Sequence, residues 1–269
     1  MAVRSDRSIR EPVDNGEDGG SVSLLDTATH SVDRWRVTEW DGCGEWSISA
    51  ALPLSTTDSE RPLPGHGVDP ERARIESLRR TRASVRRYCS ANRLDRMGTL
   101  TFEVEPDLDG GWEAVEGFRR ALAAELGELV PLVVVPEYGT LNGRLHFHVA
   151  FGRYLPVVML RRCWPHGFVD VRRIKARGRG RRLGGRALCR LVASYIAGYV
   201  TKGDRTPFSR KRYSTTRGCA PVSRSVMRSD LAAAFATVRA RAGGAALTVW
   251  SSSSVEEWAG PPVYVIRDG

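Results

Sequence analysis

Arg144-Leu145-His146-Phe147-His148-Val149-Ala150-Phe151-Gly152 is the stretch whose reading decides the fold. Side chains on a β-strand alternate faces, so His146 and His148 point to one side while Leu145, Phe147 and Val149 point to the other. An apolar strand needs no imidazole pair for packing, and neutral imidazole is a common ligand for first-row divalent ions. The H-x-H pattern alone suits two histidines on the wet face of a half-buried strand equally well. The flanking sequence therefore carries the choice.

Immediately upstream, Asn142-Gly143 is a hairpin signal, and residues 129–136 form a nearly continuous apolar strand that ends at Glu137. Antiparallel pairing across that hairpin would bring the Glu137 carboxylate, nine residues before His146, beside the imidazoles. Otherwise Glu137 is an exposed strand-end charge. Two histidines and one carboxylate make a metal site with open positions for substrate.

Further out, residues 97–104 alternate as a strand. Trp112, Val115, Phe118, Leu122 and Leu126 have helical spacing. Residues 156–164 and 188–201 read as helices, 167–174 as a strand, and 223–242 as a helix capped by Ser223. A closing strand is predicted over 262–266. The order predicts an α+β fold, an antiparallel β-sheet with flanking helices. There is no internal repeat and no G-x-x-x-x-G-K-[ST], so no P-loop motor is fused to it.

The net charge of +10 is unevenly distributed: residues 1–69 carry −7 and residues 70–269 carry +17. The basic part is where a polyanion would bind. Residues 1–33, rich in Ser, Gly and Asp, lack periodicity. Residues 34–52 suggest a short hairpin whose tryptophans Trp35, Trp40 and Trp46 read as packing anchors, and 53–69 read as a linker. Residues 70–92 predict a basic, exposed helix with Ile75, Leu78 and Val85 as a thin apolar stripe. The expected organisation is an acidic N-terminal region over 1–69, a main domain over 70–243 and a tail over 244–269.

Within 172–186, Arg172, Arg173, Lys175, Arg177, Arg179, Arg181, Arg182 and Arg186 alternate with glycines, the pattern of a polycationic loop that contacts DNA phosphates. Five widely spaced cysteines argue against a disulfide framework or a zinc knuckle and fit a reducing cytoplasm. With no long apolar run, the chain reads as soluble, with no membrane partner.

Only three of 41 basic residues are lysine: Lys175, Lys202 and Lys211. Lys202 ends the segment Tyr195-Ile196-Ala197-Gly198-Tyr199-Val200-Thr201-Lys202. On a helix the two phenols share a face, and Lys202 lies three residues beyond Tyr199. Tyrosine serves as a covalent nucleophile when a neighbouring cation favours its phenolate. Taken alone, such a pair also suits a packing stripe with wet hydroxyls.

Thr99-Leu100-Thr101-Phe102, then Glu137 and His146-Phe147-His148, then Tyr195-x-x-x-Tyr199-x-x-Lys202 resemble, in this order, the three motifs of the HUH endonucleases. The closer resemblance is to rolling-circle replication initiators of small plasmids and single-stranded DNA phages, over about residues 72–230. It implies an RRM-like sandwich in which His146, His148 and Glu137 hold Mg²⁺ or Mn²⁺. It further implies that Tyr199 attacks a DNA phosphate, with Tyr195 as a second tyrosine. Relatives with two working tyrosines often carry Lys where this chain has Gly198, so only Tyr199 keeps the Y-x-x-K spacing.

The implied function is nicking and rejoining of single-stranded or supercoiled plasmid or phage DNA at an origin, with host helicase and polymerase acting in trans. A relaxase or single-strand transposase of the same superfamily is the alternative enzyme. A non-enzymatic single-strand binder is the alternative from another class. It would need neither H-x-H nor Y-x-x-K.

Overall fold

The computed structural model describes residues 34–51, 70–139, 143–173, 185–202, 212–256, 258 and 260–269. Val133, Val134 and Val135 open β4 (Val133–Tyr138) and are all buried, as expected of a β-branched run covered on both faces. β4 pairs antiparallel with β5 (Leu145–Phe151), which pairs with β3 (Arg96–Thr101), which pairs with β6 (Val169–Arg173). The two-residue β7 (Ser214–Thr215) completes a central sheet of order β6-β3-β5-β4-β7.

The alternation read in β5 separates two cores. Leu145, Phe147, Val149 and Phe151 join Leu100 and Val134 in packing against α2 (Leu108–Leu126) and α3 (Val157–Cys163), through Trp112, Phe118, Leu122 and Leu160. α2 starts at Asp107, whose carboxylate accepts the Gly110 N–H at 2.8 Å, and stops at Gly127 in the left-handed conformation. The other face of the sheet carries Met97, Val133, Val135 and Ala150. α1 (Pro70–Ala91) and α4 (Gly185–Lys202) cover it with Val85, Tyr88, Cys89, Val192, Ala193, Ile196 and Val200. The fold is α+β, with helices flanking antiparallel sheets.

Residues 34–50 form the expected hairpin, β1 (Trp35–Trp40) and β2 (Glu45–Ala50). It lies in the middle of a second five-stranded sheet of order β8-β1-β2-β10-β9. The remaining strands come from the far end of the chain: β8 (Ser223–Arg228), β9 (Leu247–Ser251) and β10 (Val263–Asp268). Trp35 and Trp46 are buried in its core with Val37, Ile48 and Ile266, beneath α5 (Leu231–Ala242). Trp40 carries the Arg87 guanidinium 3.4 Å above its ring.

Three expectations are corrected. The helix expected over 223–242 begins only at Leu231. Asp230 is its cap, accepting the Ala233 N–H at 2.7 Å, and Ser223–Arg228 pairs with β1 instead. Opposite the apolar face of β1, the single apolar position Val226 of Ser-Arg-Ser-Val-Met-Arg needs only strand periodicity to be covered. Residues 247–251, read as part of a Ser-rich tail, are β9. α1 is basic but only partly exposed, because Val85, Tyr88 and Cys89 are buried. Among the described residues no helix is long and apolar enough to cross a membrane.

Charged groups join the two sheets. Glu45, 2% exposed, accepts from Arg86 Nε and Arg87 Nε, both at 2.7 Å, and Arg267 lies at 3.7 Å. On α4, Arg190 donates to the Asp268 carboxylate at 2.6 Å and to the Gly44 carbonyl at 3.1 Å. Burial alone would raise the Glu45 carboxyl, but Arg86, followed by Arg87 and Arg267, holds it below its ordinary value. Its stabilisation is therefore complete above the usual carboxylate range and is lost as pH falls through the folded value. Glu45→Gln is expected to cost about 3–5 kcal/mol by leaving buried guanidinium groups uncompensated. Urea unfolding measures this, and a change below about 1 kcal/mol would place the cluster among ordinary surface pairs.

Candidate metal and tyrosine site

The register of the central sheet builds the site. Glu137 pairs with His146, and Val135 with His148, so the carboxylate sits directly opposite one histidine and diagonally from the other. Glu137 Oε2 accepts from His146 Nε2 at 3.0 Å and from His148 Nε2 at 2.6 Å. The three donor groups lie within 4.8 Å of one another, the one such cluster among the described residues. Burial would raise the Glu137 carboxyl, but the hydrogen bonds from His146 and His148 hold it down at about 2. Burial also lowers His148, against the pull of Glu137, and so favours neutral imidazole, the form that ligates metal.

The far side of each ring bears on whether these residues fit a cation. His146 Nδ1 lies 3.3 Å from the Arg144 carbonyl oxygen, and His148 Nδ1 lies 3.4 Å from Thr99 Oγ1. With Nδ1–H given to a protein oxygen, Nε2 keeps its lone pair for a ligand bond, the tautomer that a metal site needs. Two imidazole nitrogens and one carboxylate oxygen, aimed at one another from adjacent strands, fit a divalent metal ion.

α4 brings the tyrosines to this face. The Tyr199 ring stacks on His148 with centroids 3.9 Å apart and planes 21° from parallel. Its hydroxyl donates to the Tyr195 hydroxyl at 2.7 Å, as the i, i+4 spacing allows. Burial first, and then the bond to Tyr195, push the Tyr199 hydroxyl well above the ordinary phenol value, so it is held protonated. The packing-stripe reading holds in part, since both rings border the core beneath α1 and α4.

Residues 95–204 match the sequence model of a family of replication-associated proteins, the ORF2 and gene II protein family. The matched segment runs from the residue before β3 to just beyond α4, and so contains Thr99, Glu137, both histidines and both tyrosines. No curated protein and no solved structure matches the chain. The similarity is to proteins of DNA replication, and it spans the whole of the metal and tyrosine site.

Of the predicted DNA-contacting residues, Arg172 is on β6 opposite Met97, on the face that carries Tyr199, and its charge lowers the Tyr199 hydroxyl against burial. Its Nε donates to Asp170 at 2.7 Å. Arg173 closes β6. The side chains of Arg173 and Lys202, together with Lys175, Arg177, Arg179, Arg181 and Arg182, lie outside the described residues. Asp170 faces Thr99 across β3 and β6 and was missed in the sequence, where a lone acid in a basic stretch gave no signal. Arg144 was also missed. It donates to the carbonyls of Phe102 and Glu103, both at 2.8 Å, and ties the start of the histidine strand to the end of β3.

Proposed function

We propose that this protein is a replication initiator of the HUH type, which nicks single-stranded origin DNA through Tyr199 and rejoins strands in rolling-circle replication. The observation that carries the reading is the Tyr199 ring stacked on His148, a member of the Glu137, His146 and His148 cluster. A structural histidine pair needs no phenol over it, and a packing tyrosine needs no converging metal ligands beneath it. The family match over the same residues supports the replication role.

His146, His148 and Glu137 would hold Mn²⁺ or Mg²⁺, the nitrogen-rich donor set favouring Mn²⁺. The bound ion supplies Lewis-acid relief of charge on the non-bridging phosphate oxygens. Tyr199 attacks phosphorus in line: its oxygen forms the new P–O bond as the bond to the 3′-oxygen breaks. The phenol gives up its proton and the departing 3′-oxygen gains one. Tyr195 accepts the Tyr199 hydrogen bond and so aims the attacking oxygen. Lys202 supplies a compact charge to the phenolate or the phosphate. One ester replaces another, so a 3′-hydroxyl can reverse the step and reseal the strand.

The test is incubation of the full chain with a single-stranded oligonucleotide library and Mn²⁺. A denaturant-resistant protein–DNA adduct is expected, with the 5′-phosphate on tyrosine and a free 3′-hydroxyl on the other fragment. Retention of DNA without any adduct would leave a binding protein in place of an enzyme.

The basic stretch over 172–186 is proposed to grip the backbone of that strand. Neutralising Arg177, Arg179, Arg181 and Arg182 is expected to flatten the log–log salt dependence of binding by about 0.7 per lost phosphate contact. An unchanged slope would make the loop a bystander.

A further inference from the structure

We propose that Phe168 is a stacking platform for one base of single-stranded DNA, laid across the open part of the central sheet on its way to the histidines. The proposal rests on the single-strand reading of the preceding subsection and adds the position at which a base is held.

Leu100 pairs with Val169 and Thr99 with Asp170 across β3 and β6. The Thr101 N–H donates to the Phe168 carbonyl at 2.9 Å, which extends that register by one pair. Thr101 in turn pairs with His146, and His146 with Glu137. Phe168, Thr101, His146 and Glu137 thus form one row across four strands. Phe168 stands two strand spacings from His146, about 10 Å. Val169 is buried in the core on the opposite side of the sheet, so strand alternation turns Phe168 to the face of the site.

Phe168 is 72% exposed. A single exposed aromatic is ordinary, but this one is held on a fixed backbone. Trp164, 1% exposed, donates from Nε1 to the Thr101 carbonyl at 2.9 Å, and the Glu103 N–H donates to the His166 carbonyl at 2.9 Å. Thr101 Oγ1 donates to the Phe168 carbonyl at 3.2 Å. Gly167 lies so close to β3 that a Cβ there would stand 2.4 Å from the Thr101 carbonyl oxygen and 2.7 Å from Glu103 N. An aromatic anchored in this way loses little backbone freedom when it binds a ligand.

The surroundings suit a nucleobase better than a protein side chain. Thr99 and Thr101, small and half-buried, are the β3 residues between the edge strand and the histidines. Arg172, further along β6 on the same face, offers a cation for a phosphate, partly offset by Asp170. An aromatic face beside a cationic edge is the usual means of holding a single strand without reading its sequence.

The test uses the full chain in EDTA and short single strands of mixed sequence carrying 2-aminopurine, whose fluorescence falls on stacking. Wild type is expected to bind and to quench the probe. Phe168→Ala is expected to bind about tenfold or more weakly and to lose the quench, whereas Phe168→Tyr keeps both. Binding and quenching by Phe168→Ala equal to wild type would overturn the proposal, as would a wild type that quenches no probe. A loss in Phe168→Tyr as large as in Phe168→Ala would overturn it too, since a stacking role survives exchange of one ring for another. No metal or nicked product enters the assay. A chain that forms no adduct yet passes this test fails only the nicking reading; one that forms adducts but fails it loses only the platform.

Discussion

Tyr199→Phe is expected to give no denaturant-resistant adduct above background, while Tyr195→Phe still forms one. Both phenols share a face of α4, and the sequence distinguishes them through Lys202, three residues beyond Tyr199. The structure adds a second distinction: the Tyr199 ring lies on His148, and Tyr195 serves as acceptor for its hydroxyl. Losing that acceptor removes one neutral hydrogen bond worth about 1 kcal/mol, so Tyr195→Phe should stay within about tenfold of the wild-type rate. Losing the attacking oxygen leaves no route to a phosphotyrosine. Peptide mapping of the linked residue decides the matter, and an adduct that persists in Tyr199→Phe but vanishes in Tyr195→Phe reverses the assignment. Because Tyr199 is held protonated in the metal-free protein, adduct formation is also expected to depend strongly on an added cation.

Removal of the metal ligands is the second large effect. His146→Ala and Glu137→Gln are each expected to lower Mn²⁺ affinity by more than about a hundredfold, beyond the effect of losing a residue that only orients a ligand. Nicking should fall with it. His148→Ala removes both a ligand and the ring beneath Tyr199, so it is expected to be the most damaging of the three. Binding of Mn²⁺ followed by calorimetry separates ligand loss from misfolding, and nicking by the His146, His148 double variant in EDTA would falsify the assignment. Affinity should also fall as pH drops through the histidine range, because the ligating nitrogens must be unprotonated.

The site was largely legible in the sequence because its parts are local. A period of two puts His146 and His148 on one face, a hairpin signal sets Glu137 against them, and a spacing of four aligns Tyr195 with Tyr199. Each of these follows from backbone geometry over a few residues. The structure reports the same pairings, Glu137 with His146 and the two tyrosine hydroxyls with each other.

Pairing between distant segments was not legible. Ser223–Arg228 is short enough to read as the first turns of a helix, and only the edge of β1, far away in sequence, makes it a strand. β1, β2, β9 and β10 share a sheet because their apolar faces bury Trp35, Trp46 and Ile266 together, a gain that no local window contains. The same holds for Glu45 beneath Arg86 and Arg87, and for Tyr199 on His148. Residue spacing along the chain was enough to say which side chains share a strand or helix face. Which faces meet was set by tertiary packing, because that choice depends on the free energy of burying the whole chain at once.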